Sequence, residues 1–177
     1  VSTIETQITR LDPSVKSLKS VKEKLGVYRK AVLKESFEKK EGWEESIIGN
    51  QVKVKYGKGL PDRDRIGKGK IPVYGSSGKV GNHNKQLINF NTIVIARKGS
   101  VGNNFIVKEP CWPIDTTYYL EDINLDIDYL YYFLNSSIFK DTSTAIPSLR
   151  RNDLESIKIS FPKSLPTQQI IVSAIES

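Results

Sequence analysis

The chain has 177 residues, 38% of them hydrophobic, and 27 Lys and Arg against 20 Asp and Glu give it a formal net charge of +7. That is enough apolar material for one domain with a core, and no stretch approaches the roughly 18 consecutive apolar residues of a membrane span. The lone Cys111 excludes an internal disulfide and fits a reducing compartment, so with no signal-peptide pattern at the N-terminus the expected location is the cytoplasm.

The first predicted element is a long helix over residues 1–40. Ile4, Leu11, Leu18, Leu25 and Val32 recur every seventh residue, and Ile8 and Val15 fill the alternate positions of a heptad seam. Lys22 and Arg29 interrupt the seam, with Val21 and Tyr28 shifted beside it. Pro13 either kinks this helix or opens a fresh one capped by Asp12. At 1.5 Å per residue the element spans on the order of 50 to 60 Å, more than one globular domain needs. Its opening hexamer, Val1-Ser2-Thr3-Ile4-Glu5-Thr6, returns at the end as Val172-Ser173-Ala174-Ile175-Glu176-Ser177. The repeat distance of about 171 residues far exceeds the 20 to 50 of solenoid units, so each unit is domain-sized and two would be related by pseudo-twofold symmetry. With no methionine in the chain, the expectation is a piece of a longer protein.

Glu41-Gly42-Trp43 marks the exit from the helix into a mixed, mostly β region over residues 41–163. Val52 and Val54 alternate with Lys53 and Lys55. Thr92-Ile93-Val94-Ile95-Ala96 reads as a buried strand, and Phe105-Ile106-Val107 and Thr117-Tyr118-Tyr119-Leu120 follow at turn-separated spacing. A helix is expected over 127–135 behind Asp126, then a short strand around Ile157 and Ile159. Phe161-Pro162 and Leu165-Pro166 end the pairing, and Thr167 is the expected cap of a last helix within residues 164–177. The fold class is α+β.

Charge is unevenly distributed. Residues 53–108 hold twelve Lys or Arg but only Asp62 and Asp64 as acids, whereas residues 109–177 hold five basic and ten acidic side chains. A basic middle zone suits a surface that meets phosphates, and equally a solvated face. Two glycine-punctuated loops lie inside it. The first, over residues 67–85, offers Lys68, Lys70, Tyr74, Ser76, Ser77, Lys79, Asn82, His83, Asn84 and Lys85; the second, after Ala96, offers Arg97, Lys98, Ser100 and Asn103. Glycine lets backbone N–H groups approach phosphates, and these side chains can bond phosphate oxygens or base edges. The competing reading is tight turns with solvated polar residues.

Catalytic patterns are weak. His83 and Cys111 are single members of their types, and an exposed loop histidine and a buried structural thiol describe them better than a nucleophilic pair. There is no HExxH or EF-hand pattern, so no metal is expected, and Gly78-Lys79 lacks the rest of a P-loop. Asn/Asp-Pro-Pro-Tyr is absent, and Pro61-Asp62 has no downstream Asp/Glu-x-Lys. Binding is the better reading, with neither enzyme activity nor cofactor.

Five segments in order then resemble one family: Tyr28-Arg29-Lys30-Ala31-Val32-Leu33-Lys34, Ile71-Pro72-Val73-Tyr74-Gly75, Arg97-Lys98-Gly99-Ser100-Val101-Gly102, Ala145-Ile146-Pro147-Ser148-Leu149-Arg150 and Leu165-Pro166-Thr167-Gln168-Gln169-Ile170. Together they resemble specificity subunits of Type I restriction-modification systems. Thr167 departs from the Glu the family often has there. The resemblance implies two target-recognition domains separated by two conserved helices packed antiparallel, each domain reading half of a split DNA target. This chain would then hold one helix, one such domain and the start of the second helix, binding double-stranded DNA and docking a methyltransferase subunit, with the endonuclease subunit joining through that complex. Self-association through Ile4, Ile8, Leu11, Val15, Leu18, Leu25 and Val32 is a further expectation, and the acidic C-terminal third is expected to face away from DNA. Alternatives are the recognition domain of a fused restriction-methylase enzyme and a coiled-coil adaptor binding only protein.

Overall fold

The computed structural model of the protein describes residues 2–65, 69–137 and 148–177, with side chains for all of these except 2–14, 29, 30 and 137. Lys68 and the Ala145-Ile146-Pro147 segment lie outside the described residues, as do the side chains of Ile4, Ile8, Leu11 and Arg29.

Helix α1 spans Ser2–Ser36. It runs through Pro13 as one element, so no second helix begins at Asp12; the missing proline N–H simply leaves one carbonyl a turn earlier without its helical donor. Two residues outside the heptad positions fasten the helix to the domain. Leu33 is buried, and Phe37, one residue past the helix, sets its ring edge-on against Tyr129 at 5.1 Å and Phe133 at 5.6 Å.

The remaining described residues form three sheets. Strand β1 (Glu44–Ile47) pairs antiparallel with β9 (Lys158–Phe161), Glu44 opposite Phe161. The four-stranded antiparallel sheet has the order β2 (Lys53–Tyr56), β8 (Thr117–Glu121), β5 (Thr92–Ala96), β6 (Asn104–Val107). In the third sheet β3 (Ile71–Gly75) lies between β4 (Gly78–His83), antiparallel to it, and β7 (Trp112–Pro113), parallel to it. Helix α2 (Ile48–Gln51) follows β1; α3 (Ile127–Ser137), α4 (Arg151–Glu155) and α5 (Leu165–Glu176) complete the chain.

All five residues of β5 are buried because both faces of that strand are covered. Ile93 and Ile95 join Tyr118, Leu120 and the α3 residues Tyr129, Leu130, Phe133 and Leu134 in the main core, while Val94 joins Ile88, Val107 and Cys111 on the opposite face. Burial of each such large side chain contributes roughly 1.5–3 kcal/mol. Asp126 caps α3 as its position suggested: its Oδ1 accepts from the N–H groups of Asp128 and Tyr129, both at 3.0 Å.

The expected Thr167 cap of the last helix is corrected by the structure. Ser164 is the N-cap, in extended conformation, and Leu165 and Pro166 are already helical. A proline in the first turn loses no helical hydrogen bond, so Pro166 starts the helix rather than holding it off. Gln168 is buried, donating through Nε2 to the Pro162 carbonyl at 2.8 Å and accepting through Oε1 from Asp126 N–H at 2.8 Å. This one side chain ties α5 to the end of β9 and to the start of α3.

Candidate functional site

The two glycine segments meet around a single backbone oxygen. The Thr116 carbonyl accepts from Arg97 N–H at 3.0 Å, from Lys98 N–H at 3.3 Å and from Ser76 Oγ at 3.4 Å. Gly99 follows in the left-handed region at φ +72°, where a Cβ would stand 3.7 Å from the Ser76 Cβ; the conformation favours glycine. The turn after β5 closes with Asn103 N–H donating to Ser100 O at 3.1 Å, leaving Lys98, Ser100 and Asn103 exposed.

The first segment is mostly not a loop. Residues 71–83 form the β3–β4 hairpin, with Gly75 opposite Gly78, Ser76 and Ser77 as the turn, and Ile71 opposite His83 at the far end. Ser76 therefore lies against Gly99, with exposed Ser77 next to it in the turn and Lys79 at the start of β4. Asn82 and His83, with exposed Asn84, Lys85 and Lys70, belong to the other end, about 17 Å away over five strand steps. The thirteen candidates among the described residues do not gather at one point.

Two aromatic candidates are largely committed to packing. Tyr74 is half-buried against the Ile88–Val94–Val107–Cys111 cluster, and burial, with Glu109 nearby, raises its phenol. His83 is half-buried rather than an exposed loop residue: its Nδ1–H donates to the Asp64 carbonyl at 2.9 Å and its ring stands edge-on to Trp112. Cys111 is fully buried, and burial, helped by Glu109, pushes its thiol up to about 12, so the nucleophilic thiolate is suppressed at neutral pH.

The basic zone divides as well. Lys53 pairs with Asp122 at 2.6 Å, Lys55 with Glu121 at 3.8 Å and Lys108 with Asp128 at 3.1 Å, so acids of the C-terminal third neutralise one part of it. Lys58, Lys70, Lys79, Lys85, Arg97 and Lys98 have no ion pair among the described residues. Arg97 differs from the lysines in being half-buried and held: Nη1 donates to Asp115 O at 3.0 Å, and the guanidinium lies over Tyr56 at 5.2 Å and Tyr118 at 5.6 Å. Among the described residues no His, Cys, Asp and Glu group is placed to hold a metal ion, and no helix is long and apolar enough to cross a membrane.

The α1 seam is uncovered where its side chains are described. Val15, Leu18, Val21 and Leu25 are 46%, 68%, 49% and 62% exposed, whereas Val32 is half-buried.

The family model of the Type I restriction modification DNA specificity domain matches residues 40–177. No curated protein sequence matches. Among solved structures, a chain from work on the complex assembly and conformational transition of the type I R-M system is similar with a TM-score of 0.81 and 16% identity, over 99% of this chain and 49% of that one. The crystal structure of a Type-I restriction-modification system S subunit from M. genitalium gives 0.69 and 23% over 93% of this chain and 50% of that one. That of an HsdS subunit from Thermoanaerobacter tengcongensis gives 0.69 and 16% over 99% and 48%. The chain thus spans about half the length of the structures it matches.

Proposed function

The chain belongs to the family of Type I restriction modification DNA specificity domains, and from that premise we propose that it reads one half of a bipartite double-stranded DNA target. It supplies target choice to a methyltransferase subunit and, through that complex, to an endonuclease subunit, and it acts in the cytoplasm. The recognition part runs over residues 41–163, between the helix of residues 1–40 and the helix begun in residues 164–177. Pairing of β1 with β9, which brings Glu44 opposite Phe161, supports those limits.

The observation that carries this reading is the meeting of two turns at Thr116, where unpaired cations and small neutral donors share one surface. Arg97, Lys98 and Lys79 fix the phosphate backbone, while Ser76, Ser77, Ser100 and Asn103 are placed for base edges. Asn82, Asn84 and Lys85, with His83, form a second contact point farther along the duplex. Binding should weaken with salt, the log affinity falling against log salt by about 0.9 for each phosphate neutralised. Lys79→Glu combined with Lys98→Glu should flatten that slope by roughly two phosphates' worth. Fluorescence anisotropy across a salt series measures it, and an unchanged slope would move the DNA surface elsewhere.

The uncovered apolar stripe of α1 favours a helix-pairing role beside DNA binding, since such stripes are stable when another helix fills them. The expected result is concentration-dependent dimerisation in sedimentation equilibrium, abolished by Leu18→Glu. A strict monomer at high concentration, unaffected by that substitution, would end the pairing reading.

A further inference from the structure

Tyr56, Arg97, Tyr118 and residues 148–153 enclose a cleft of about 380 Å³ on the flank of the Thr116 junction. Its residues come from β2, the turn after β5, β8 and the start of α4, brought together because β2, β8 and β5 are neighbours in one sheet. The wall formed by residues 148–150 is tied down at three points. Leu149 N–H donates to Arg97 O at 2.8 Å, Tyr118 Oη–H donates to Leu149 O at 3.0 Å, and Lys98 and Ser148 form a bridge.

The unusual feature of the cleft is the state of Arg97. Its Nε is buried with no hydrogen-bond partner, and no carboxylate among the described residues pairs with the guanidinium. A partly desolvated cation held by two tyrosines and one carbonyl lacks a carboxylate counter-charge among the described residues. Arg150 stands at the same cleft, exposed and without an ion pair among the described residues. Of the other charged groups there, Arg151 is engaged with Glu155 at 2.7 Å, and Asp153 is the remaining carboxylate.

The geometry points to a phosphate seat: Arg97 and Arg150 together grip one phosphodiester of the DNA backbone, with Tyr56 and Tyr118 holding the Arg97 guanidinium in place. This inference rests on the DNA-reading function proposed above and extends the DNA surface into the acidic C-terminal third. With Nε buried and Nη1 already donating to Asp115 O, the guanidinium presents its remaining Nη hydrogens to a phosphate from a fixed plane, which a freely moving lysine cannot do. DNA is preferred over an acidic partner protein because the cleft adjoins Lys98, a further cation without an ion pair among the described residues, and the small polar donors of the Gly99 turn. Arg150 and Tyr56 act at this seat in different ways, Arg150 by contact and Tyr56 as a positioning residue.

The test uses the whole chain with duplexes of selected and of scrambled sequence. Arg150→Ala should lower affinity for both about tenfold at low salt, as loss of one charge-assisted contact does, and reduce the salt slope by about 0.9. The melting temperature should not move, because Arg150 is exposed. Tyr56→Leu should weaken binding to both duplexes, and Tyr56→Phe, which keeps the ring over Arg97, should restore it. Full affinity and slope in Arg150→Ala would overturn the seat while leaving the DNA reading intact. Loss of methyltransferase capture with DNA binding unchanged would overturn it in favour of a protein contact. Loss of discrimination with an unchanged slope would make Arg150 a base reader instead. Absence of salt-dependent DNA binding in the unaltered chain would remove the functional proposal and this inference together.

Discussion

Replacing Phe37 with alanine should cost about 3–4 kcal/mol, the loss typical of a buried aromatic ring whose site cannot collapse. The ring is 9% exposed and sits edge-on to both Tyr129 and Phe133, so its removal takes away two aromatic pairs and leaves a void between α1 and α3. For a chain of this size the melting temperature should fall on the order of 10 °C. Phe37→Leu should recover most of it, since leucine refills much of the space. Thermal melts followed at 222 nm read the difference, and a loss below about 1 kcal/mol for the alanine variant would mean the end of α1 is not docked.

Gln168→Ala should be the next most damaging change, at about 2–4 kcal/mol. The buried amide makes two hydrogen bonds of 2.8 Å, and truncation leaves both the Asp126 N–H and the Pro162 carbonyl without their partner. Gln169 is the natural control. It is exposed and makes one 3.2 Å bond to Asp126 Oδ2, so Gln169→Ala should cost less than about 1 kcal/mol. Urea denaturation of the two variants side by side gives the comparison; equal losses would dissociate the buried amide from the packing of α5.

The elements that sequence periodicity disclosed are those whose pattern is set by burial alone. Thr92-Ile93-Val94-Ile95-Ala96 is apolar throughout because both of its faces are covered, and α3 carries its own signal in the Asp126 cap. The β3–β4 hairpin carried no such signal. Glycines, Pro72 and Ser76-Ser77 read as loop, yet the β7 ladder touches only Val73 and Tyr74, which leaves Pro72 without a β7 neighbour. Helix α4 has five residues, too few for a helical period to be visible. At the candidate site, Arg97, Lys98 and Ser76 could be picked out from glycine spacing and charge. Tyr56 and Arg150 could not, because they are separated from Arg97 along the chain: the strand order β2-β8-β5 brings Tyr56 to the cleft, and the Leu149 N–H bond to Arg97 O brings Arg150.

Among the described side chains of α1 and the residue that follows it, those buried in the domain are Leu33 and Phe37, close to one end of its 35 residues. That arrangement is a lever with its fulcrum at one end. Over a length of about 50 Å, a rocking of roughly 6° at the fulcrum carries the far tip about 5 Å, more than the 3.4 Å rise of one base pair. Under the proposed reading of a bipartite target, in which α1 would set the distance between two DNA-reading units, an error of one base pair in spacing would be an angular error of only a few degrees. The uncovered apolar stripe would then have a mechanical meaning: a second helix laid along it, as proposed, would brace the lever at many points and make the spacing of the two readers a property of the pair.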